Sequence, residues 1–382
     1  MVGVCATVAV GVGVGSASGI TAPPGSPAKI VGAGVIVGWP IGRPTPSMAM
    51  MLSAATRAPP TARSWSCLFG CFVRTALHEH CAYHRGTMSL MKFGLQINQF
   101  TWPGGAAAIG PTLARVARTA DDAGFDSIWV MDHFFQIRAL GPPEAPMLEG
   151  QTALGFLAAH TEKARLGLMV GGVHYRAAGL WIKATTALDV LSGGRAWFGI
   201  GAAWNEHESK ALGFAFPPLR ERFEQLEDTL QMAHAMWSGG SGTAERFDGK
   251  RTTATHLINS PQSLSKPRVP ILVGGGGERK TLRLVAQYAD ACNIFGRSPE
   301  FVRDKLAVLR EHCERLERRY DEIEKTVLTS VNPDEETTEA TVERFGGLGE
   351  AGAQHIIFSV RGVADTSRLN RIGAEILPQL RD

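Results

Sequence analysis

From Met91 onward one unit recurs: a short apolar run of strand character, then an amphipathic helical run. The strand-type runs are Lys92–Asn98, Asp126–Met131, Arg165–Val170, Arg195–Gly199, Pro270–Val273, Ala291–Phe295, Lys325–Val331 and Gln354–Val360. Between and after them lie helical patterns such as Ile109–Ala123, Gln151–His160, Lys183–Leu191, Glu278–Tyr288, Pro299–Arg319, Glu335–Leu348 and Thr366–Leu380. Strict alternation of this kind buries parallel strands behind helices, and eight units predict an α/β (β/α)8 TIM barrel. A doubly wound open sheet rarely needs eight units, and the first strand lacks the GxGxxG turn of a dinucleotide-binding half. The one oversized interval, between strands four and five, holds a helix at Arg220–Trp237. Gly239–Pro267 then reads as an insertion over the barrel mouth, with a hairpin around Asp248-Gly249.

The joint between units three and four is the most informative stretch. Lys183–Leu191 puts Ala187, Leu188 and Leu191 on one helical face, and Gly193-Gly194 supplies the positive φ that stops a helix. A buried strand follows, then Gly201-Ala202-Ala203, a small-residue exit at its C-terminal end. A second cluster, Gly274-Gly275-Gly276-Gly277, stands directly after strand five and before a helix. Four consecutive glycines are costly in chain entropy. At a helix N-terminus they offer free N–H groups to an anion, though a plain βα turn would read the same way.

In a barrel the chemistry sits at the C-terminal strand ends. Those ends present Asn98, Phe100 and Trp102; Asp132, His133, Phe134 and Phe135; Gly171 to His174; Gly201 to Glu206; the four glycines; and Phe295 to Arg297. The set is aromatic and glycine-rich, which suits a large planar ligand carrying a phosphate. No metal is expected, because His, Asp and Glu do not recur at a ligand spacing. Asp132 and His133 are the candidate catalytic residues, and a carboxylate beside His133 can fix its ring orientation. The alternative for His133 is a packed histidine bonded to a neighbouring loop. Trp102, Phe134, His174 and Trp204 are the candidate substrate wall, or caps on the core.

The first ninety residues differ from the rest. Val2–Val14 is a Val/Gly/Ala run and Pro23–Pro60 strings Gly, Pro, Ser and Ala together without a period. No basic residue precedes the apolar run and glycines interrupt it, which argues against a signal peptide and a membrane span. Residues 1–87 are therefore expected to be a disordered extension or to come from a misassigned start, with the barrel domain at 88–382. Residues 1–90 carry six basic side chains against one acidic, so the net charge of +3 leaves a slightly acidic body and no nucleic-acid surface. Cys67, Cys71 and Cys81 with His78, His80 and His84 lack a second ligand pair at a finger spacing and read as chance. The body has only Cys292 and Cys313, which suggests a reducing, cytoplasmic setting. A small-molecule substrate and a homodimer are the expected partners, with no nucleic acid and no membrane.

The runs WVMDHFF, LMVGGVHYR, KATTALDVLSGGRAWFGIGAAWNEHE and PILVGGGGERKTLRLVAQYAD, in that order, resemble the luciferase-like monooxygenase superfamily. The resemblance is greatest to its deazaflavin (coenzyme F420)-dependent oxidoreductases and covers Met91 to about Leu380. It implies coenzyme F420 (8-hydroxy-5-deazaflavin), with FMN as the alternative. It places the cofactor phosphate at Gly201, Ala202, Gly275, Gly276 and Gly277, and a non-proline cis peptide behind the ring at Gly172-Val173. Lys183, Arg195, Arg279, Lys280 and Arg297 are candidates for the anionic tail. It also implies an active-site position for Asp132 and His133. Members acting on sugar phosphates carry GEALNE where this chain reads Gly201-Ala202-Ala203-Trp204-Asn205-Glu206. The acid is missing and Trp204 adds bulk, so an apolar substrate is expected. The resemblance thus implies hydride transfer between the deazaflavin and an apolar organic molecule. Alternatives are an FMN monooxygenase using oxygen and a barrel that binds cofactor without turnover.

Overall fold

The computed structural model describes residues 90–238 and 246–381, all within one unit, Cys81–Asp382. The extension 1–87, its cysteine and histidine cluster and the start of the expected insertion lie outside the described residues.

Strands β1 (Lys92–Ile97), β2 (Ser127–Val130) and β3 (Arg165–Leu168) are followed by the two-residue β4 (Gly171–Gly172) and by β5 (Phe198–Gly201). A hairpin, β6 (Phe247–Asp248) and β7 (Thr253–Ala254), precedes β8 (Ile271–Gly274), β9 (Ala291–Phe295), β10 (Glu324–Val331) and β11 (His355–Val360). Apart from the hairpin they form one parallel sheet ordered β3-β2-β1-β11-β10-β9-β8-β5-β4. A bridge from Leu166 to Ala196, just ahead of β5, joins the two ends of that order. The result is the expected eight-position barrel. The third position is split: β3 pairs with β2, and β4 pairs with β5.

The helices are α1 (Ala106–Asp122), α2 (Gly150–Ala158), α3 (Ala178–Leu191), α4 (Glu206–Ala211), α5 (Leu219–Trp237), α6 (Thr281–Tyr288), α7 (Pro299–Arg315), α8 (Thr338–Glu350) and α9 (Ser367–Glu375). Their starts follow local chemistry. Glu149 accepts from the amides of Gln151 and Thr152, Ser298 from Phe301, and Thr337 from Ala340, each satisfying donors a helix leaves free. None of the described helices is long and apolar enough to cross a membrane. In the insertion the hairpin forms where Asp248-Gly249 predicted it, with Asp228 accepting from the amides of Lys250, Arg251 and Thr252.

Two apolar layers hold the barrel. The larger fills the space between strands and helices; the smaller packs Trp129, Met169, Trp197, Leu272, Ala291 and Ile357 together. Below it a polar relay crosses the N-terminal end. Trp129 Nε1 donates to Ser127 Oγ, Ser127 meets His355 Nε2 at 2.9 Å, and His355 Nδ1 meets Glu324 at 2.8 Å. Glu324 also pairs with Lys92. Trp129, Ser127, His355 and Glu324 thus satisfy one another, as burial demands.

Candidate active site

Asp132, at the C-terminal end of β2, is buried. One oxygen accepts from Gly172 N at 3.0 Å and Arg176 Nη1 at 2.7 Å, the other from Arg176 Nη2 at 2.7 Å. Arg176 also reaches Glu149. Burial opposes a charged guanidinium, but the Asp132 and Glu149 partners outweigh it and push Arg176 above its ordinary value. Asp132 thus ties β2 to the turn after β4 and does not orient His133. The non-proline cis peptide lies at Met169-Val170, not at Gly172-Val173. The bond falls where the third barrel position breaks and changes its strand neighbour.

The carboxylate that meets His133 is Glu208, on α4. It is fully buried, meets His133 Nδ1, and accepts from Tyr175 Oη at 2.6 Å and from the amides of Phe134 and Phe135 at 2.9 and 3.1 Å. Burial alone would raise this carboxyl, but the hydrogen bonds from His133 and Tyr175 outweigh it and hold it below the usual range. Burial, reinforced by the Glu208 charge, drives the Tyr175 phenol far upward. Glu208 and Tyr175 were absent from the sequence-derived candidates. The signal available was a second acidic residue, two positions past Glu206, at the start of a short helix.

His174 sits behind this cluster. Its Nε2 meets Ser209 Oγ at 2.7 Å, and Ser209 donates to Asn205 O. Burial, with the Arg222 guanidinium adding to it, drives His174 down to about 4, so the ring is neutral at pH 7. His174 packs against Tyr175 and Phe216, while Phe134 meets Tyr175 edge to face and lies tilted against Phe214. Trp102 is buried, with its edge toward Phe100. These three candidates belong to the packed wall. Trp204 does face the mouth, 64% exposed and 5.4 Å from the His133 ring. A cavity of about 390 Å³ opens beside it, lined by Phe135, Ile137, Ala139, Pro143, Trp204 and His207 among others.

The glycine turns have different duties. A Cβ on Gly201 or Gly274 would press on Val170 at 3.0 and 2.8 Å, so both make room for that side chain at the barrel mouth. Ala202 lies beside Gly201, and Ala203 holds a left-handed φ of 59°, uncommon for a residue with a Cβ. Gly275 has φ 116° and donates to Asn293 O. Beyond it Gly276 is open, with only the Lys305 side chain nearby at 3.8 Å. Among the described residues the amides of Gly276, Gly277, Glu278 and Arg279 donate no hydrogen bond. Arg279, Lys280 and Arg297 are exposed at this end of the barrel, with Lys280 over the Phe223 ring. The other two candidate cations are engaged elsewhere. Arg195 gives its donors to Thr161, Ala158 O, Ala164 O and Ser192 O ahead of β5, and Lys183 reaches Ser260 O. Among the described residues no group of three His, Cys, Asp or Glu side chains could hold a metal ion.

The family model for luciferase-like monooxygenases matches residues 91–374. An F420-dependent glucose-6-phosphate dehydrogenase of Nakamurella multipartita is 30% identical over 246 residues, 62% of this chain and 68% of the relative. Among solved structures, an F420-dependent secondary alcohol dehydrogenase in complex with an F420-acetone adduct superposes with a TM-score of 0.65 at 15% identity, over 77% of this chain and all of that one. The oxygenating constituent of 3,6-diketocamphane monooxygenase from Pseudomonas putida, in complex with FMN, gives 0.59 at 16% identity, over 76% and 99%.

Proposed function

The chain belongs to the luciferase-like monooxygenase family, and from that premise we propose that it is a coenzyme F420-dependent oxidoreductase acting on an apolar organic substrate. The observation that carries this reading is the open row of amides at Gly276, Gly277, Glu278 and Arg279 ahead of α6. Free N–H groups at a helix start fit a phosphate, and the exposed cations Arg279 and Lys280 beside them suit a further anionic tail. When bound, the deazaflavin supplies or accepts a hydride at carbon 5.

The chain's own residues do the rest. Gly275, with its φ of 116°, turns the backbone just ahead of these amides. Gly201 and Gly274 leave room for Val170, which offers an apolar surface to a planar ring. His133 exchanges a proton with the substrate oxygen. Phe135, Ile137, Pro143 and Trp204 exclude water from the substrate body. Ala202 stands where the sugar-phosphate members carry a carboxylate, and a cavity lined mainly by apolar side chains, together with Arg138, Gln136 and Asn205, favours a mostly apolar substrate.

The experiment is a fluorescence titration of the protein with F420 and with FMN, followed by turnover without oxygen. Tight quenching of F420 and anaerobic activity are expected. A requirement for both reduced FMN and oxygen would transfer the protein to the flavin monooxygenases.

A further inference from the structure

Glu208 takes part in four hydrogen bonds, and its geometry determines more than its own charge. Two of its donors are the backbone amides of Phe134 and Phe135, which can only donate. Tyr175, whose phenol is pushed far above its ordinary value, donates its hydroxyl proton to Oε1. The carboxyl sits below its ordinary value and is therefore ionised at neutral pH, an acceptor only. The proton shared with His133 must then stand on the histidine, on Nδ1. Nε2 makes no hydrogen bond among the described residues, yet it is not one of the sealed, partnerless atoms of the interior. The ring edge lies against Trp204, itself 64% exposed at the mouth.

We propose that Glu208 is a positioning residue: it holds His133 in the Nδ1-protonated tautomer, so that the atom offered to the mouth is the Nε2 lone pair. This rests on the reading of His133 as the proton-exchanging group. In a substrate hydroxyl the O–H bond breaks, its electron pair stays on oxygen, and the proton forms the new Nε2–H bond. Tyr175 and the two amides keep Glu208 from turning away, because each holds the carboxylate from a different element: α4 carries the acid, the turn after β4 carries Tyr175, and the loop after β2 carries the amides. A carboxylate that fixes the tautomer of a proton-transferring imidazole acts on turnover far more than on binding.

The test uses cofactor-free protein labelled with 15N-histidine, the His133 signals among the 11 histidines being identified by their loss in His133→Asn. The wild type is expected to show a protonated Nδ1 and a bare Nε2 near pH 7.5. In Glu208→Gln both tautomers should be populated. Turnover should fall by roughly 10–100-fold, with a displaced pH profile and with KM and cofactor affinity nearly unchanged. Tyr175→Phe removes one donor but leaves the His133 bond, so the wild-type tautomer should persist. A wild-type His133 protonated on Nε2 overturns the proposal, even if Glu208→Gln fails to fold. So does a folded Glu208→Gln with wild-type turnover. Failure of the same preparation to bind F420, with the tautomer as expected, would instead overturn the functional reading.

Discussion

The His133 imidazole is bounded by Glu208 on one nitrogen and by the Trp204 ring, and neither group touches the open glycine turn after β8. On the proposed reading proton exchange and anion binding fall to separate residues, and they should separate in mutants. His133→Ala should lower single-turnover hydride transfer by roughly 10²–10⁴-fold at saturating cofactor, the contribution of a placed acid or base. Cofactor affinity should change little, and equal rates in variant and wild type would make His133 structural. Gly276→Asp should do the opposite. It sets a carboxylate at an amide meant to face an anion, so affinity should drop at least about tenfold, or about 1.4 kcal/mol, while the melting temperature stays close to wild type. A titration of the folded variant that matches wild type would reduce the four glycines to a turn. The same residues explain which parts of the site were legible. His133 stands at a strand end, where a barrel puts its chemistry. Its partner lies 75 residues away on α4 and is brought to it only by the path of the chain after β5. Asp132, the sequence neighbour, points instead to Arg176.

At the level of elements, the strand runs were readable because each has a buried apolar stretch, for example at 271–273 and 356–358. The strand expected at Arg195–Gly199 lies at Phe198–Gly201, because Arg195 spends its guanidinium on carbonyls around α2 and only Ala196 bridges to β3. The split between β3 and β4 was not legible, since it depends on which neighbour each half pairs with. The relay under β1, β10 and β11 carries a prediction of its own. Burial would raise the Glu324 carboxyl, but His355 and Lys92 outweigh it and hold the group at about 2 in the folded chain. A group depressed on folding contributes stability fully above its ordinary value near 4.5 and loses it as pH falls toward about 2. The melting temperature should therefore decline between pH 4.5 and 2. Glu324→Gln should be less stable at neutral pH by about 2 kcal/mol, the scale of a hydrogen bond to a charged group, and should show a flatter decline. Parallel acid melting curves for the two proteins would assign that slope elsewhere.

Over the whole molecule, the barrel closes without any described contribution from residues before Leu90. β1 begins at Lys92 between β2 and β11, and the family match begins at 91. The last turn of the chain returns to the same end: Arg381 bonds Gly124 O and Asp126, and Asp126 accepts from Phe93 N. Both neighbours of β1 and the loop beneath it are thus supplied by residues after 90. Residues 1–87 also lack any helical or strand period in the sequence. We therefore propose that the folded, cofactor-binding unit is 88–382. A chain starting at Met88 should melt within a few degrees of the full chain and bind F420 with the same affinity. Differential scanning calorimetry and the fluorescence titration, run on both proteins, measure this directly. A large loss of folded protein on truncation would overturn this reading of the extension.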